Sequence, residues 1–253
     1  MPRLKQMQQP LQAREGDLNG TVLTPVAVIR SPFREKFGIP RQPGLIKEVP
    51  AQVVLLPPFN REEAVRGLED FTHIWLIFQF HACPAFDGSM TVRPPRLGGN
   101  KRMGVFATRG THRPNPLGMS VVTLERIDSN SGVTLHIKGA DLLDGTPVYD
   151  IKPYLHYADA VHEAKSGFAH SPPQLELRVE MSEVLRERCV ELEKVRPGLL
   201  SLICQVIGQD PRPAFKKEDS VRIYGVKLYD LDVRFAVKDG VATVAEIVNC
   251  GDV

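Results

Sequence analysis

The chain has 253 residues, of which 42% are hydrophobic and 25% charged, and these ordinary globular values exclude a mainly disordered or fibrous protein. Its formal net charge of +2 is too small to indicate nucleic-acid binding by itself, because a whole-chain charge hides local patches. Its 4 cysteines lie far apart with no CxxC pair, so we expect no metal site and no disulfide framework. No apolar stretch approaches the roughly 20 residues that span a bilayer, so we expect no membrane span and a cytoplasmic location.

The first third of the chain alternates extended segments with proline-stiffened loops. Residues 1–19 are polar and Gln-rich and cannot offset their own ordering entropy, so they are predicted to be a flexible extension. Strand character begins with TVLTPVAVIRSPF at residues 21–33 and resumes in VVLLPPF, after a rigid loop that contains FGIPRQPG. REEAVRGLEDFTH then fits a short helix ended early by Gly67 and Asp70, and HIWLIFQFH predicts a buried strand that ends at His81.

The middle of the chain is basic and then rich in short strands. MTVRPPRLGGNKRMGVFATRG carries five basic residues, and SVVTLERID, GVTLHIKGADLLDG and TPVYDIKPYL follow as β segments separated by Gly, Asp and Pro. Short strands at this spacing predict an antiparallel sheet that closes toward a barrel. No segment combines a strand, GxGxxG and a helix, so a Rossmann domain is unsupported.

A second, smaller unit is predicted after a polar segment. In this unit LELRVEM alternates like a strand, and Ser182 is placed to cap a helix. The predicted apolar side of that helix consists of Val184, Leu185, Val190, Leu192 and Val195. LLSLICQVIGQ predicts a second, more buried helix, and strands follow with Lys-Asp-Gly as a hairpin turn.

The predicted fold is therefore mainly β. After the extension at residues 1–19, a small antiparallel β-barrel without a Rossmann sheet is expected over residues 20–157. A linker at residues 158–173 and a smaller α+β C-terminal domain over residues 174–253 complete the chain.

Residues 104–118, GVFATRGTHRPNPLG, concentrate hydrogen-bond donors on a stiff backbone. Pro114 and Pro116 fix the backbone, and three glycines permit turns or close approach of a ligand. The donors in this loop are Arg109, His112, Arg113 and Asn115. A structural turn with exposed arginines is the alternative, but a preorganised donor cluster costs desolvation that folding alone does not require, which favours a functional loop.

Three further segments carry polar groups suited to ligands. In ADLLDG, Asp141 and Asp144 lie where a strand should end, so their carboxylates could accept from a ribose or an ammonium group, although an Asp-Gly turn is equally compatible. QDPRPAFKK, residues 209–217, is a second proline-stiffened basic loop that could contact RNA, with a simple helix stop as the alternative. A further basic run consists of Arg93, Arg96, Lys101 and Arg102.

GVFATRGTHRPNP resembles the signature of the TsaA-like proteins, the tRNA methyltransferase O family. SPFREKFGIPRQPGL, AVRGLEDFTHIWLIF, TVRPPRLGGN, DLLDGTPVYDIKPY and QDPRPAF also resemble family segments in family order, so the likeness covers nearly the whole folded chain. Proteins of this family bind S-adenosylmethionine in a small antiparallel β-barrel, work as homodimers, and methylate the exocyclic amino nitrogen of threonylcarbamoyladenosine next to the anticodon in tRNA. The resemblance implies the same reaction here, with a cofactor-binding barrel, a tRNA-binding C-terminal domain and a homodimer.

The resemblance also implies which residues form the site, and it implies no metal ligand. The cofactor site would use Pro40, Arg41, Gln42, His81, Ala82, Arg109, Leu117, Asp141, Leu142, Leu143 and Asp144. Arg109, Arg113 and Asn115 would lie near the threonylcarbamoyl carboxylate and the reacting nucleoside, since a guanidinium can pair with a carboxylate at two positions. Asp210, Arg212 and Tyr224 would grip the tRNA anticodon stem-loop.

Two other functions stay open at the level of the sequence. One is an RNA-binding adaptor that uses the same basic loops without turnover. The other is a barrel that binds S-adenosylmethionine but methylates another acceptor. Binding of the cofactor and transfer to modified tRNA would separate the three hypotheses.

Overall fold

The computed structural model describes residues 22–173, 177–212 and 222–250, so the predictions for residues 1–19 and for 213–217 of the second basic loop lie outside the described residues. The strands in these ranges are β1 (Ala27–Arg30), β2 (Pro50–Leu55), β3 (His73–Gln79), β4 (Thr91–Val92), β5 (Met103–Gly104), β6 (Leu117–Asp128), β7 (Thr134–Lys138), β8 (Pro147–Pro153), β9 (Arg178–Met181), β10 (Ile223–Leu228), β11 (Leu231–Lys238) and β12 (Val241–Asn249). The α-helices are α1 (His156–Asp159), α2 (Glu183–Leu192) and α3 (Leu199–Gly208). None of the described helices is long and apolar enough to cross a membrane.

The predicted barrel is confirmed as a closed antiparallel sheet in the order β1-β2-β7-β6-β3-β8, with β8 pairing back to β1. Its strands bury alternate residues because successive side chains of a strand point to opposite faces. In β3, for example, Ile74, Leu76 and Phe78 are buried in the interior, whereas their neighbours along the strand are only partly covered. The predicted buried strand is therefore present, but it ends at Gln79 and not at His81.

The connections of the barrel gather at its two rims. Because Pro50 pairs with Lys138 and Gln79 pairs with Leu117, one rim collects the β1–β2 connection, the end of β3, the start of β6 and the β7–β8 connection. At the other rim, the short helix predicted between β2 and β3 is two 3-10 turns rather than one helix. Gly67 separates these turns with φ +84, a backbone conformation that a continuing right-handed helix cannot contain.

The C-terminal unit is a four-stranded sheet in the order β10-β11-β12-β9, in which β9 runs parallel to β12. Helix α3 contributes the buried side chains Leu199, Leu202, Ile203, Val206 and Ile207. The predicted cap of α2 is confirmed, because Ser182 Oγ accepts the backbone N–H of Leu185 at 3.3 Å.

The predicted apolar side of α2 is wrong in part. Val184 and Val190 are 74% and 56% exposed, whereas Cys189 is fully buried. The helix packs through a narrow face around Cys189, with Leu185 and Leu192 partly buried beside it. A thiol counts as a small apolar group in such a face, and the sequence prediction left it out.

The C-terminal sheet packs against the first part of the β1–β2 connection. The backbone N–H of Tyr229 donates to the carbonyl of Pro32 at 2.6 Å, and Phe33 forms an isolated antiparallel bridge with Leu228. At Gly38, an added Cβ would lie 2.4 Å from a methyl carbon of Val226, so only glycine permits this close approach. The sheet therefore helps to hold the part of the β1–β2 connection that leads into the first of these two rims.

Candidate active site

A cavity of about 400 Å³ opens at the rim that carries the β1–β2, β3–β6 and β7–β8 connections. Its volume lies within the range of about 300 to 1,000 Å³ that is typical of small-molecule sites. The predicted site residues that line it are Pro40, Arg41, Gln42, His81, Ala82, Arg109, Arg113, Leu117, Asp141, Leu142 and Leu143. Segments that are distant in the sequence therefore line the same cavity.

The floor of the cavity is aromatic. Phe78 and Phe80 meet edge to face with ring centroids 5.2 Å apart, and both line the cavity. Gly118 of β6 lies directly beneath them, and a Cβ added there would be 2.4 Å from the Phe78 ring and 2.9 Å from that of Phe80. The missing side chain lets the two rings lie close to the strand, which leaves a flat apolar surface inside the rim.

A carboxylate with one buried partner lies in the same cavity. Ser120, which is 1% exposed, donates its hydroxyl hydrogen to Asp141 Oδ1 at 2.7 Å. Burial raises the pKa of Asp141 to about 6, and the hydrogen bond from Ser120 and the charge of Arg109 limit that rise. Asp141 is therefore mostly ionised at neutral pH, and it places a negative charge where a cationic ligand could bind.

Sequence reasoning did not single out Ser120, although a signal was available. In β6 the inward positions alternate as Gly118, Ser120, Val122 and Leu124, so Ser120 is a polar residue in an apolar series. A hydroxyl at such a position must find a hydrogen-bond partner inside the barrel. Lys36 and Thr146 also line the cavity and were likewise missed.

The arginines of the donor loop are held by uncharged partners. Arg109 Nη1 donates to Gln42 Oε1 at 2.6 Å, which ties the loop to the β1–β2 connection. Arg113 Nη1 donates to the carbonyls of Thr108 at 3.3 Å and Gly110 at 3.1 Å, within its own loop. Among the described residues no carboxylate lies within 4.0 Å of either guanidinium, so both positive charges are unneutralised at the cavity.

His81 has a polar neighbour on the β7–β8 connection. Thr146, which is buried, donates its hydroxyl hydrogen to the carbonyl of Leu143 at 2.7 Å, and the same oxygen lies 3.4 Å from His81 Nδ1. The contact joins the residues after β3 to the β7–β8 connection, which leads into the neighbouring strand β8. Thr146 thus helps to hold these two neighbouring segments of the cavity wall together.

Two predicted residues of the barrel do not line the cavity. Asp144 accepts from the backbone N–H of Ser31 at 3.0 Å and from Arg34 Nη1 at 2.6 Å. Arg34 also donates through Nε to the carbonyl of Tyr229 at 3.2 Å, so Asp144 links the cavity loop to the C-terminal sheet. Asn115 is exposed, and its carbonyl accepts the N–H of Leu117 at 2.7 Å.

The three residues predicted to grip RNA form a cluster within the C-terminal unit. Asp210, Arg212 and Tyr224 are 2%, 5% and 7% exposed. Arg212 donates from Nε to Asp210 Oδ1 at 2.8 Å and from Nη2 to Oδ2 at 3.0 Å, and its guanidinium lies 5.9 Å from the centroid of the Tyr224 ring. The cluster joins the chain on either side of residues 213–221. Within the described ranges, no three His, Cys, Asp or Glu side chains are grouped so that they could hold a metal ion.

Comparison with known proteins connects this geometry to one family. The tRNA-methyltransferase O N-terminal domain matches residues 28–160, and the TrmO C-terminal domain matches residues 174–250. A tRNA (adenine(37)-N6)-methyltransferase from Escherichia coli (strain K12) is 48% identical over 216 residues, which are 85% of this chain and 92% of that protein. A Pseudomonas aeruginosa protein named as an S-adenosylmethionine-dependent methyltransferase, RcsF, is 50% identical over 214 residues, or 84% of this chain and 91% of that one. A crystal structure of TrmO from Pseudomonas aeruginosa aligns with a TM-score of 0.77 at 41% identity and covers 91% of this chain and 99% of that one.

Proposed function

The chain belongs to the tRNA-methyltransferase O family, and from this membership and the rim cavity we propose that it transfers a methyl group from S-adenosylmethionine to N6 of adenosine 37 in tRNA. The observation that carries the proposal is the joint lining of one cavity by Asp141 and by the arginine-bearing donor loop. A carboxylate suits a cationic methyl donor, and free guanidinium groups suit a polyanionic acceptor.

The cavity fits S-adenosylmethionine in size and in chemistry. When bound, this cofactor supplies a methyl group that is activated by a positively charged sulfur. Asp141 offers that charge a partly buried carboxylate, and the Phe78–Phe80 floor offers an apolar surface against which an adenine can pack. Pro40, which is buried, stiffens the wall next to Arg41 and Gln42.

The reaction asks the protein mainly to align two reactants. In such a transfer the sulfonium would supply the methyl group to N6 and keep the electron pair of the broken carbon–sulfur bond, and N6 would lose its proton to solvent. Alignment of this kind can supply about 7 to 11 kcal/mol of the barrier. Two sets of hydrogen bonds keep the acceptor side of the cavity rigid. Arg109 donates to Gln42, and Arg113 donates to carbonyls of its own loop.

The acceptor we propose is adenosine 37 that carries a threonylcarbamoyl group. Its carboxylate would pair with the unneutralised guanidinium groups of Arg109 and Arg113, because a planar fork matches a carboxylate in two places. Arg113 donates from Nη1 to carbonyls of its own loop, and its other N–H groups would donate to the ligand. Asn115, exposed on the same loop, would contact the nucleoside outside the cavity.

The remaining assignments of the chain form part of the same proposal. We assign residues 20–157 to the cofactor-binding barrel, 158–173 to a linker and 174–253 to a tRNA-binding domain, with 1–19 as an extension. The buried Asp210–Arg212 pair supports RNA binding by fixing the chain beside residues 213–221. A homodimer and a cytoplasmic location stay predictions.

Two measurements test the proposed function. Calorimetry should detect binding of S-adenosylmethionine, and transfer of a labelled methyl group should occur to tRNA with the threonylcarbamoyl group and not to tRNA without it. Absence of cofactor binding would favour an adaptor without turnover. Binding of the cofactor without transfer to modified tRNA would favour another acceptor.

A further inference from the structure

The charges of the chain are segregated around the cavity. The whole chain is nearly balanced, with 32 Lys and Arg against 30 Asp and Glu. Between Asp87 and Glu125, however, the sequence has no acidic residue. The cations in that interval are Arg93, Arg96, Lys101, Arg102, Arg109 and Arg113. A stretch of one charge sign creates a local potential that the net charge of the chain conceals.

Four of these cations lie on an excursion from the cavity wall. The chain leaves the cavity at Cys83, forms the β4–β5 hairpin and returns to the cavity at Thr108. The start of the excursion is attached to the donor loop, because the Phe86 and His112 rings lie 5.1 Å apart and His112 Nε2 is 3.1 Å from Asp87 Oδ1. The hairpin is therefore fixed beside the mouth of the cavity.

The arrangement of the hairpin charges does not favour folding. Val92 pairs with Met103, so Arg93 and Arg102 occupy the next facing positions, where like charges destabilise a strand pair. Arg102 Nη1 donates to Thr91 Oγ1 at 3.1 Å, and Arg96 Nη2 donates to the carbonyl of Ser171. In the part of the chain that the structure describes, no carboxylate lies within 4.0 Å of the four hairpin cations.

An exposed aromatic ring lies where the hairpin returns to the cavity. Phe106, on the 3-10 turn Val105–Ala107, is 79% exposed. A phenyl ring so open to water gains nothing from its position unless something packs on it. Base stacking on an aromatic ring next to cationic side chains is a common arrangement in proteins that bind single-stranded nucleic acid.

We propose that Arg93, Arg96, Lys101, Arg102 and Phe106 form an RNA-binding surface, the hairpin surface, which contacts the tRNA backbone and stacks on an unpaired base beside the adenosine that enters the cavity. This inference rests on the proposed function and adds a second RNA contact, on the barrel rather than on the C-terminal domain. A symmetric contact with a second copy fits the surface less well, because such contacts bring identical patches together and would oppose the same positive charges.

Neutralisation of facing charges tests the backbone contact. The variant Arg93→Gln/Arg102→Gln is compared with Arg61→Gln/Arg66→Gln, in which two exposed arginines at the opposite rim are changed in the same way. Binding of an anticodon stem-loop RNA is measured by anisotropy across a salt series. We expect the hairpin variant to bind roughly ten-fold more weakly, with the log–log salt slope reduced by about 1.5 to 2, and the control to behave as the unchanged protein.

A second variant separates stacking from charge. Phe106→Ala should weaken binding of the same RNA several-fold without changing the salt slope, because stacking releases no counterions. Melting temperature and S-adenosylmethionine affinity should be unchanged in both hairpin variants, which shows that they fold and keep the cavity.

The outcomes distinguish this inference from the proposed function. If the unchanged protein methylates tRNA and the Arg93→Gln/Arg102→Gln variant keeps both RNA affinity and salt slope, the hairpin surface is not an RNA contact. A change in the sedimentation coefficient with unchanged RNA binding would assign the surface to a protein contact instead. Failure of the unchanged protein to methylate any tRNA would overturn the proposed function, while the binding assay would still decide the role of the hairpin.

Discussion

The two proline-stiffened arginine loops of this chain share a composition but differ in how their charges are used. In the donor loop, Arg109 is exposed and bonds only to the uncharged Gln42 among the described residues. In the C-terminal loop, Arg212 is 5% exposed and forms a two-point pair with Asp210. One guanidinium is open to a ligand, and the other is part of the core of its domain.

The difference shows that arginine and proline content alone does not identify a binding loop. A buried charge must be paired, since an unpaired one costs several kcal/mol. An exposed charge without a carboxylate partner costs little and stays open to an anion from outside the chain. Pairing and exposure, which the sequence does not display, therefore separate a guanidinium held by a buried carboxylate from one that is open to a ligand.

The largest effect on stability is expected at the buried pair. Arg212→Ala leaves the Asp210 carboxylate without its two-point partner and should lower the free energy of unfolding by about 3 to 5 kcal/mol. Urea denaturation measures this change, with Arg188→Ala on α2 as an exposed-arginine control. A loss below about 1 kcal/mol together with lost tRNA affinity would place Arg212 among the direct RNA contacts.

Substitution of the exposed Arg109 should have the opposite result, with a large loss of activity and little change in stability. Arg109→Ala should lower methyl transfer by about 100- to 1,000-fold, as for loss of one preorganised donor, while the free energy of unfolding changes by less than about 1 kcal/mol. Single-turnover transfer and thermal unfolding report the two quantities. Equal activity in the variant would remove Arg109 from the acceptor side of the site.

Asp141 extends the comparison to a partly buried carboxyl that has no arginine paired with it at two positions. Its pKa, raised from 3.8 to about 6 by burial, means that the folded state favours the protonated form. The favourable contribution of this group to stability is therefore present below about pH 4 and is lost as the pH rises through 6. At neutral pH, Asp141→Asn should stabilise the fold by about 2 to 3 kcal/mol.

The affinity for S-adenosylmethionine should rise with pH, whereas the stability contribution of Asp141 falls. The ionised carboxylate is the form that attracts a cationic donor, so S-adenosylmethionine should bind about ten-fold more weakly at pH 5 than at pH 7. The Asp141→Asn variant should bind weakly at both pH values, and calorimetry at each pH provides the comparison. If the affinity of the variant kept the same pH dependence, a group other than Asp141 would be responsible for it.

The smallest effect is expected where an arginine is paired but half exposed. The Arg34 side chain is 53% exposed against 13% for its partner Asp144. Arg34→Ala should lower stability by only about 1 kcal/mol but should raise the Kd for S-adenosylmethionine several-fold, because the Leu142–Asp144 segment loses an anchor. Arg34→Lys should restore most of the affinity, and a change in stability without a change in Kd would limit the pair to a structural role.

Much of the fold was predictable because the barrel strands are short, rich in β-branched residues and separated by turns that contain Gly, Asp and Pro. The Ser182 cap followed from the preference of a serine for that position. The parallel pairing of β9 with β12 was not predictable, since no local signal states which distant strand will be the neighbour. The two 3-10 turns around Gly67 were mistaken for a helix because their apolar residues have helical spacing.

The candidate site was predictable as a set of loops but not residue by residue. Asp141 and Asp144 are separated by two leucines, and nothing local tells which of them faces the cavity. The answer depends on Arg34 and Ser31, which lie more than a hundred residues earlier and bind Asp144. Asn115 likewise has the composition of a site residue, but its loop turns it toward solvent.

The bare backbone at Gly118 also limits how this enzyme could evolve or be redesigned. Because the Phe78 ring occupies the space that a Cβ would need, any larger residue at position 118 would displace that ring and reshape the compartment. Engineering toward bulkier alkyl donors would therefore begin with smaller side chains at Phe78 or Phe80, which would deepen the compartment while Gly118 is kept.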